Sequence, residues 1–369
     1  MASRRIVLLR RCLHVSQCPS WIIIVFKRLS QWWNHAASQN GHANDADLSA
    51  STSSVADGVS FNPARLDKQS LIALHHQAAS LSLTALKVRA AQSGQYLSSF
   101  RGRGMEFDEV RPYQAGDDVR TLDWRVMART GKPHTKLFRE ERERSVLLWV
   151  DSRSAMFFAT RGAFKSVIAA RAAALLAWAA VKQGDRIGGL VFSEQQHEEL
   201  RPQGGKHAVL RLIQCLVAQE QTVWSQLKAQ HDAGVASEAA LQSLLRLRRV
   251  ARPGSLVVLL SDFRDVDDRS ELHLAQLARH NDVVMFFIYD ELESHLPPSG
   301  LYRVGDGDQA MTLDTTAAAA RESYHQRFIM RRDALQTLCR RHGICFIPCS
   351  TTQSLAQRLR DGLGLRGAA

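Results

Sequence analysis

Cysteine is scarce in this 369-residue chain, six in all. Cys12, Cys18, Cys215, Cys339, Cys345 and Cys349 show no disulfide-framework spacing, which excludes a stapled secreted domain and fits a reducing compartment, the cytoplasm. Long apolar runs are missing as well. Ile6 to Leu9 and Trp21 to Phe26 fall well short of the roughly 20 residues a membrane span needs, and Arg10-Arg11 breaks any signal-peptide core. Acids are absent before Asp45. Residues 1–60 are therefore expected to be a basic, disordered arm or the product of a misassigned start. The alternatives are an interfacial anchor at the inner membrane through Trp21, Ile22 to Ile24, Trp32 and Trp33, or a transit peptide.

Catalytic signatures are equally sparse. Lys165-Ser166 follows Gly162, but Phe164 stands where a phosphate loop needs its second glycine. Gly184, Gly188 and Gly189 lead into a strand pattern rather than from a strand into a helix, so they are no dinucleotide fingerprint. No serine sits in a G-x-S-x-G elbow and no histidine pair has zinc-helix spacing. Cys339, His342, Cys345 and Cys349 have a metal-like rhythm, yet Ile344, Phe346 and Ile347 make that stretch a buried strand with core cysteines. The net charge of +12 raises nucleic acid as a partner, but the arginines are spread along the chain among acids rather than gathered into one stripe, so no nucleic-acid role is expected.

What the chain does contain is a hydrophobic fraction of 45%, enough for one large core or two modest ones. An amphipathic helix is predicted from Asp67 to about Gln92, through Leu71, Leu74, Ala78, Leu81, Ala85 and Val88. A dense mixed-charge block follows, in which Glu106, Asp108, Glu109, Asp117, Asp118 and Asp123 interleave with Arg101, Arg103, Arg111, Arg120, Arg125 and Arg129. Tyr113 and Trp124 add amphipathic rings, and Gly116 supplies a turn. Such a block is either a structural cap of internal ion pairs or a surface for a partner. A short strand is expected at Thr135 to Phe138 and a charged connection at Arg139 to Arg144.

Beyond it, apolar strands alternate with helices. Strands are predicted at Ser145–Val150, Ile187–Phe192, Ser255–Leu260, Asp282–Tyr289 and Ile344–Pro348. Helices are predicted at Lys165–Lys182, Lys206–Gln219, Ser237–Val250, Glu271–His280, Thr316–Arg341 and Thr352–Leu363, with a hairpin at Leu301–Leu313. Strands apolar throughout need cover on both faces, which means an α/β fold with a doubly wound, mainly parallel sheet. Ligands of such sheets bind at the carboxyl ends of the strands, which singles out Asp151 and Asp262.

The segments G-R-G-M-E-F-D-E-V-R-P-Y-Q-A-G-D-D-V-R-T-L-D-W-R, A-R-T-G-K-P at Ala128, D-S-R-S-A-M at Asp151, G-D-R-I-G-G-L-V-F at Gly184 and L-S-D-F-R at Leu260 resemble the bacterial domain of unknown function 58 family, whose members look like von Willebrand factor A domains. The resemblance implies a von Willebrand A-like domain over 144–369, preceded by a smaller subdomain over 61–143. It further implies a non-enzymatic scaffold or adaptor that works with a MoxR-type AAA+ ATPase on client protein complexes. In von Willebrand A domains an Asp-x-Ser-x-Ser pattern and later Thr and Asp residues hold a divalent cation. Here Asp151 and Asp262 match, but Arg153 and Ala155 replace the two serines, and Ser152 and Ser154 are out of phase. The expectation is a metal-free docking surface in which Arg153 pairs with the carboxylates, together with partner contacts from Arg111, Tyr113, Asp117, Asp118, Arg120, Asp123 and Trp124. The alternatives are a Mg²⁺ site at Asp151, Ser154 and Asp262 in an adhesion domain or an enzyme, for which Asp185 is the available third acid, and a membrane-tethered assembly factor.

Overall fold

Hydrophobic alternation in the central strand, Ser145–Asp151 (β3), sets the layering of the chain. Val146, Leu148 and Val150 point into one core and Leu147 and Trp149 into the other, as the two-residue period of a strand requires. The computed structural model describes residues 4–5, 61–79, 81, 83, 105–114, 117–140, 143–226, 233–264, 266–305 and 310–364. The expectations for residues 1–60 and for the helix beyond Leu83 lie outside the described residues, apart from the two-residue strand Arg4–Arg5.

Two compact units divide the chain. The first, 93–144, contains the hairpin of Met105–Pro112 (β1) and His134–Glu140 (β2), paired antiparallel with a bulge between Phe107 and Glu109. A 3₁₀ turn at Val119–Thr121 and the helix Trp124–Thr130 (α3) fill the excursion between its strands. The mixed-charge block thus opens as a strand, which the sequence reading did not place there. Its charged side chains hid the period-two signal.

The second unit is built on a six-stranded sheet. Besides β3 it contains Arg186–Phe192 (β4), His197–Gln203 (β5), Leu256–Ser261 (β6), Asp282–Tyr289 (β7) and Cys345–Ser350 (β10), in the order β10-β7-β6-β3-β4-β5. All neighbours are parallel except β5, which runs antiparallel along the edge. Lys165–Lys182 (α4), Lys206–Gln226 (α5) and Leu355–Gly364 (α10) cover one face. Ala233–Val250 (α6), Asp268–Ala278 (α7) and Ala318–Arg341 (α9) cover the other. This is the doubly wound α/β arrangement. A side hairpin, Leu301–Gly305 (β8) and Ala310–Asp314 (β9), stands where turn chemistry placed it. The cysteines of the metal-like rhythm are core residues instead: Cys339 lies 3.5 Å from the Met285 sulfur, and His342 turns away to Glu271.

Residues 61–83 belong with the sheet unit, so the separate unit is shorter than 61–143. The predicted helix is broken into Lys68–Ala73 (α1) and His75–Ala78 (α2). Asp67 caps its start, accepting from Ser70 N at 2.8 Å. Trp178 Nε1 donates to the Leu71 carbonyl at 3.2 Å, a group that an unbroken helix would offer to residue 75. Leu71, Leu74, Ala78, Leu81 and Leu83 are all buried in the core beside α4. Glu220 of α5 accepts the Leu66 N–H with both oxygens, at 3.0 and 3.1 Å. Burial pushes that carboxyl above its ordinary range even though the Leu66 N–H and Arg65 pull the other way. Glu220→Ala is expected to reduce stability by about 1–2 kcal/mol, read by urea titration, because a buried backbone donor loses its acceptor.

Candidate functional site

The five parallel strands all end at or just before polar residues at one edge of the sheet, β10 in Ser350-Thr351. Asp151 closes β3, Ser193-Glu194 follow β4, Ser261-Asp262 end β6, and Asp290 follows β7. Parallel strands deliver all of these to the carboxyl edge, where the crossover loops leave room for function. Asp185 precedes β4 and so sits at the opposite edge; it cannot serve as the third acid of this site.

Asp151 is fully buried. Its Oδ1 accepts from the Arg153 backbone N–H and from Arg153 Nε, both at 3.0 Å, and its Oδ2 accepts from Arg153 Nη2 at 2.7 Å and Ser261 Oγ at 2.5 Å. The guanidinium is 3% exposed and also lies 4.0 Å from Asp262. Lys165, fully buried, sends its ammonium to Asp262 Oδ2 at 2.7 Å and Glu293 Oε1 at 2.8 Å. Arg264 Nε reaches Asp262 Oδ2 at 2.7 Å, and its Nη2 meets Glu293 Oε1. Three acids and three cations therefore interlock. Arg331, on α9, adds a long hydrogen bond to the Asp262 carbonyl at 3.4 Å.

Electrostatics follow from that packing. Burial alone would raise the Asp262 carboxyl, but Lys165, Arg264 and Arg153 more than reverse it and hold the group well below the carboxylate range. Glu293 behaves alike: burial raises it, and Arg264 and Lys165 outweigh that to leave it low. Burial also acts on Arg264 and is overcome by Glu293 and Asp262, so its charge is held more firmly than usual. Tyr324, whose hydroxyl donates to the Leu292 carbonyl at 3.2 Å, is pushed up to about 12 by burial and by Glu293.

The backbone is strained where the network demands it. Phe263 has φ 47°, a left-handed conformation that non-glycine residues rarely adopt. That turn sets Asp262 and Arg264 against each other across a single residue. Ser261 Oγ supports it by accepting the Phe263 N–H at 3.0 Å. Nearby, Asp290 clamps the loops after β3 and β10, accepting from Thr160 N at 2.8 Å, Thr160 Oγ1 at 2.6 Å and Thr351 Oγ1 at 2.7 Å. Gly162 (φ 74°) completes the clamp, since a Cβ there would stand 2.0 Å from the Thr351 carbonyl oxygen.

A divalent cation needs several oxygens with lone pairs to spare. Both oxygens of Asp151 already accept two hydrogen bonds each, and Asp262 Oδ2 faces an ammonium and a guanidinium. Ser154, the third candidate ligand, is directed elsewhere: its N–H and Oγ both donate to Glu194 Oε1, at 2.7 and 2.6 Å. The residues present do not fit Mg²⁺. Lys165 and Arg153 stand where its charge would be.

Of the residues singled out by sequence, Asp151, Arg153 and Asp262 come together here, and Ser154 does not join them. In the 93–144 unit Asp117, Asp118 and Asp123 serve local structure. Asp117 pairs with Arg111 at 2.6 Å and accepts from Gln114 N at 2.9 Å, which with the Arg111 charge keeps its carboxyl low against the opposing effect of burial. Asp118 caps the 3₁₀ turn through Arg120 N at 2.9 Å, and Asp123 caps α3 through Arg125 N and Val126 N at 3.0 and 3.2 Å. Tyr113 is half-buried and its N–H donates to the Pro133 carbonyl at 3.0 Å. Arg120 and Trp124 are exposed. Sequence reasoning missed Lys165, Arg264 and Glu293. One signal was available: Lys165 opens an 18-residue helix whose other charges are only Arg171 and the terminal Lys182, at the end where the helix dipole disfavours a cation.

Among solved structures the chain is similar to BatB from Bacteroides thetaiotaomicron, at 12% identity and TM-score 0.36, over 61% of this chain and 100% of that one. It is also similar to an aerotolerance-related membrane protein from Bacteroides fragilis, at 14% identity and TM-score 0.34, over 60% and 99%. The uncharacterized proteins Rv1480 of Mycobacterium tuberculosis and Mb1516 of Mycobacterium bovis are each 30% identical over 247 residues, which is 63% of this chain and 74% of theirs. Residues 109–334 match the family described as protein of unknown function DUF58, from the first hairpin through most of α9, and the chain belongs to that family.

Proposed function

We propose that this protein is a non-enzymatic adaptor that binds other polypeptides, working with a MoxR-type AAA+ ATPase in assembling or remodelling client complexes. One observation carries the reading: at the strand edge where an α/β enzyme keeps its chemistry, Asp151, Asp262 and Glu293 are neutralised by Arg153, Lys165 and Arg264. A general base needs a carboxylate tuned upward towards neutrality, and Asp262 and Glu293 are shifted the other way. The family resemblance supplies the ATPase. Among the described residues no helix is long and apolar enough to cross a membrane.

Co-expression of the full chain with a MoxR-type ATPase, followed by affinity capture, tests the partner. Retention of the ATPase through a salt wash is expected, and its loss in every nucleotide state would refute the reading. Calorimetry with MgCl₂ on the purified chain should give no saturable heat. Micromolar binding abolished by Asp151→Asn would restore the metal-dependent alternative.

A further inference from the structure

Resting on the adaptor reading, the exposed face of the 93–144 unit specifies the chemistry of what is held. Among the described residues five large apolar side chains are more than half exposed, and two of them, Val119 at 57% and Trp124 at 60%, lie close in sequence in this unit. From Val119 to Lys132 every exposed charge is positive: Arg120, Arg125, Arg129 and Lys132. The acid within that stretch, Asp123, is buried as the cap of α3 and lies 3.6 Å from Lys136. Asp117 and Asp118, just before it, are tied to Arg111, Gln114 N and Arg120 N.

The sequence therefore alternates the two signs, while in the fold Asp117, Asp118 and Asp123 are taken up by turn N–H groups and Arg120, Arg125 and Arg129 stand exposed. Arg125 and Arg129 are one helical turn apart, where like charges repel, and the four exposed basic side chains have no carboxylate partner among the described residues. A largely exposed tryptophan set among arginines has the composition of an interface hot spot. We propose that the face from Val119 to Lys132 docks an acidic segment of a partner protein, its carboxylates meeting Arg120, Arg125 and Arg129 and one apolar side chain packing on Trp124. Protein is favoured over nucleic acid because the unit as a whole has eleven Lys and Arg against nine Asp and Glu, without the basic excess of a nucleic-acid module. Among the described residues of the unit Trp124 is the one exposed Trp, Tyr or Phe, too few for a stacking platform.

The test is fluorescence anisotropy on the full chain with a labelled synthetic peptide of Glu and Asp around one central Phe. Binding that weakens with added salt is expected, with Trp124→Ala and the double variant Arg125→Glu/Arg129→Glu each weakening it by about tenfold or more. Thermal melts should confirm that both variants stay folded, as exposed positions allow. Equal binding by the variants overturns the proposal. So does absence of binding, equal binding of a Lys-for-acid peptide, or tighter binding of a single-stranded oligonucleotide. Capture of the ATPase separates the two levels: retention by wild type and both variants alike overturns this face and leaves the adaptor reading intact, whereas no retention by any form overturns the adaptor reading.

Discussion

Lys165→Met should destabilise the fold by about 3–5 kcal/mol at neutral pH, because it removes one partner from a buried ion cluster and leaves charge without compensation. Lys165 and Asp262 are both fully buried, and the ammonium bridges Asp262 and Glu293 at 2.7 and 2.8 Å. In the wild type both carboxyls are held below their ordinary values of 3.8 and 4.5. Groups lowered in this way contribute stability that is present above the unfolded values and fades as pH falls through the folded ones. Removing the ammonium lets both carboxyls rise. The variant's deficit is then greatest at neutral pH and narrows in acid, where protonation relieves the unpaired charge. Urea titrations at neutral pH and near pH 4 give both quantities. Adding Asp262→Asn and Glu293→Gln to Lys165→Met should recover much of the loss, since a neutral cluster of similar shape no longer carries uncompensated charge. A Lys165→Met protein as stable as wild type at neutral pH would show that the ammonium contributes nothing to the cluster.

How much of this was legible in the sequence depends on what each residue answers to. The parallel strands β3, β6 and β7 were plain because burial on both faces demands apolar runs, and the acids at their ends followed from chain direction. The edge strand β5 was not, since His197-Glu-Glu-Leu-Arg-Pro-Gln buries little beyond Leu200 and edge strands favour the charge and proline that resemble a loop. The site was half legible. Asp151, Arg153 and Asp262 sit at strand ends, where position alone announces them. Lys165, Arg264 and Glu293 reach the same point from a helix start, a strained turn and the short helix Glu291–Ser294 (α8), and that convergence is a property of three-dimensional packing. In the mixed-charge block, the sequence shows alternation of sign but not which charges are taken up by local structure. Hydrogen bonding to turn N–H groups decides that, and only carboxylates can accept them.

Restoring the hydroxyl pattern by Arg153→Ser with Ala155→Ser should not create a cation site, and should lower stability by about 3 kcal/mol. The loss follows from the burial of Asp151, which would keep only Ser261 and the backbone N–H of residue 153 of the partners it has now, leaving a carboxylate in the protein interior without a countercharge. Its partial relief by a divalent ion would need Asp262 as well. Asp262 Oδ2 remains committed to Lys165 and Arg264 while its Oδ1 has no hydrogen-bond partner among the described residues, and an ammonium 2.7 Å from that carboxylate repels a second cation. The two aspartates are thus held by different cations, Arg153 on the first and Lys165 with Arg264 on the second, so substituting Arg153 alone does not free both carboxylates. Thermal denaturation of the double variant with and without millimolar MgCl₂ checks this. A lowered midpoint that magnesium leaves unmoved is expected. A magnesium-dependent recovery towards the wild-type midpoint would show instead that Arg153 alone had closed the site, and that Lys165 and Arg264 yield to a divalent ion.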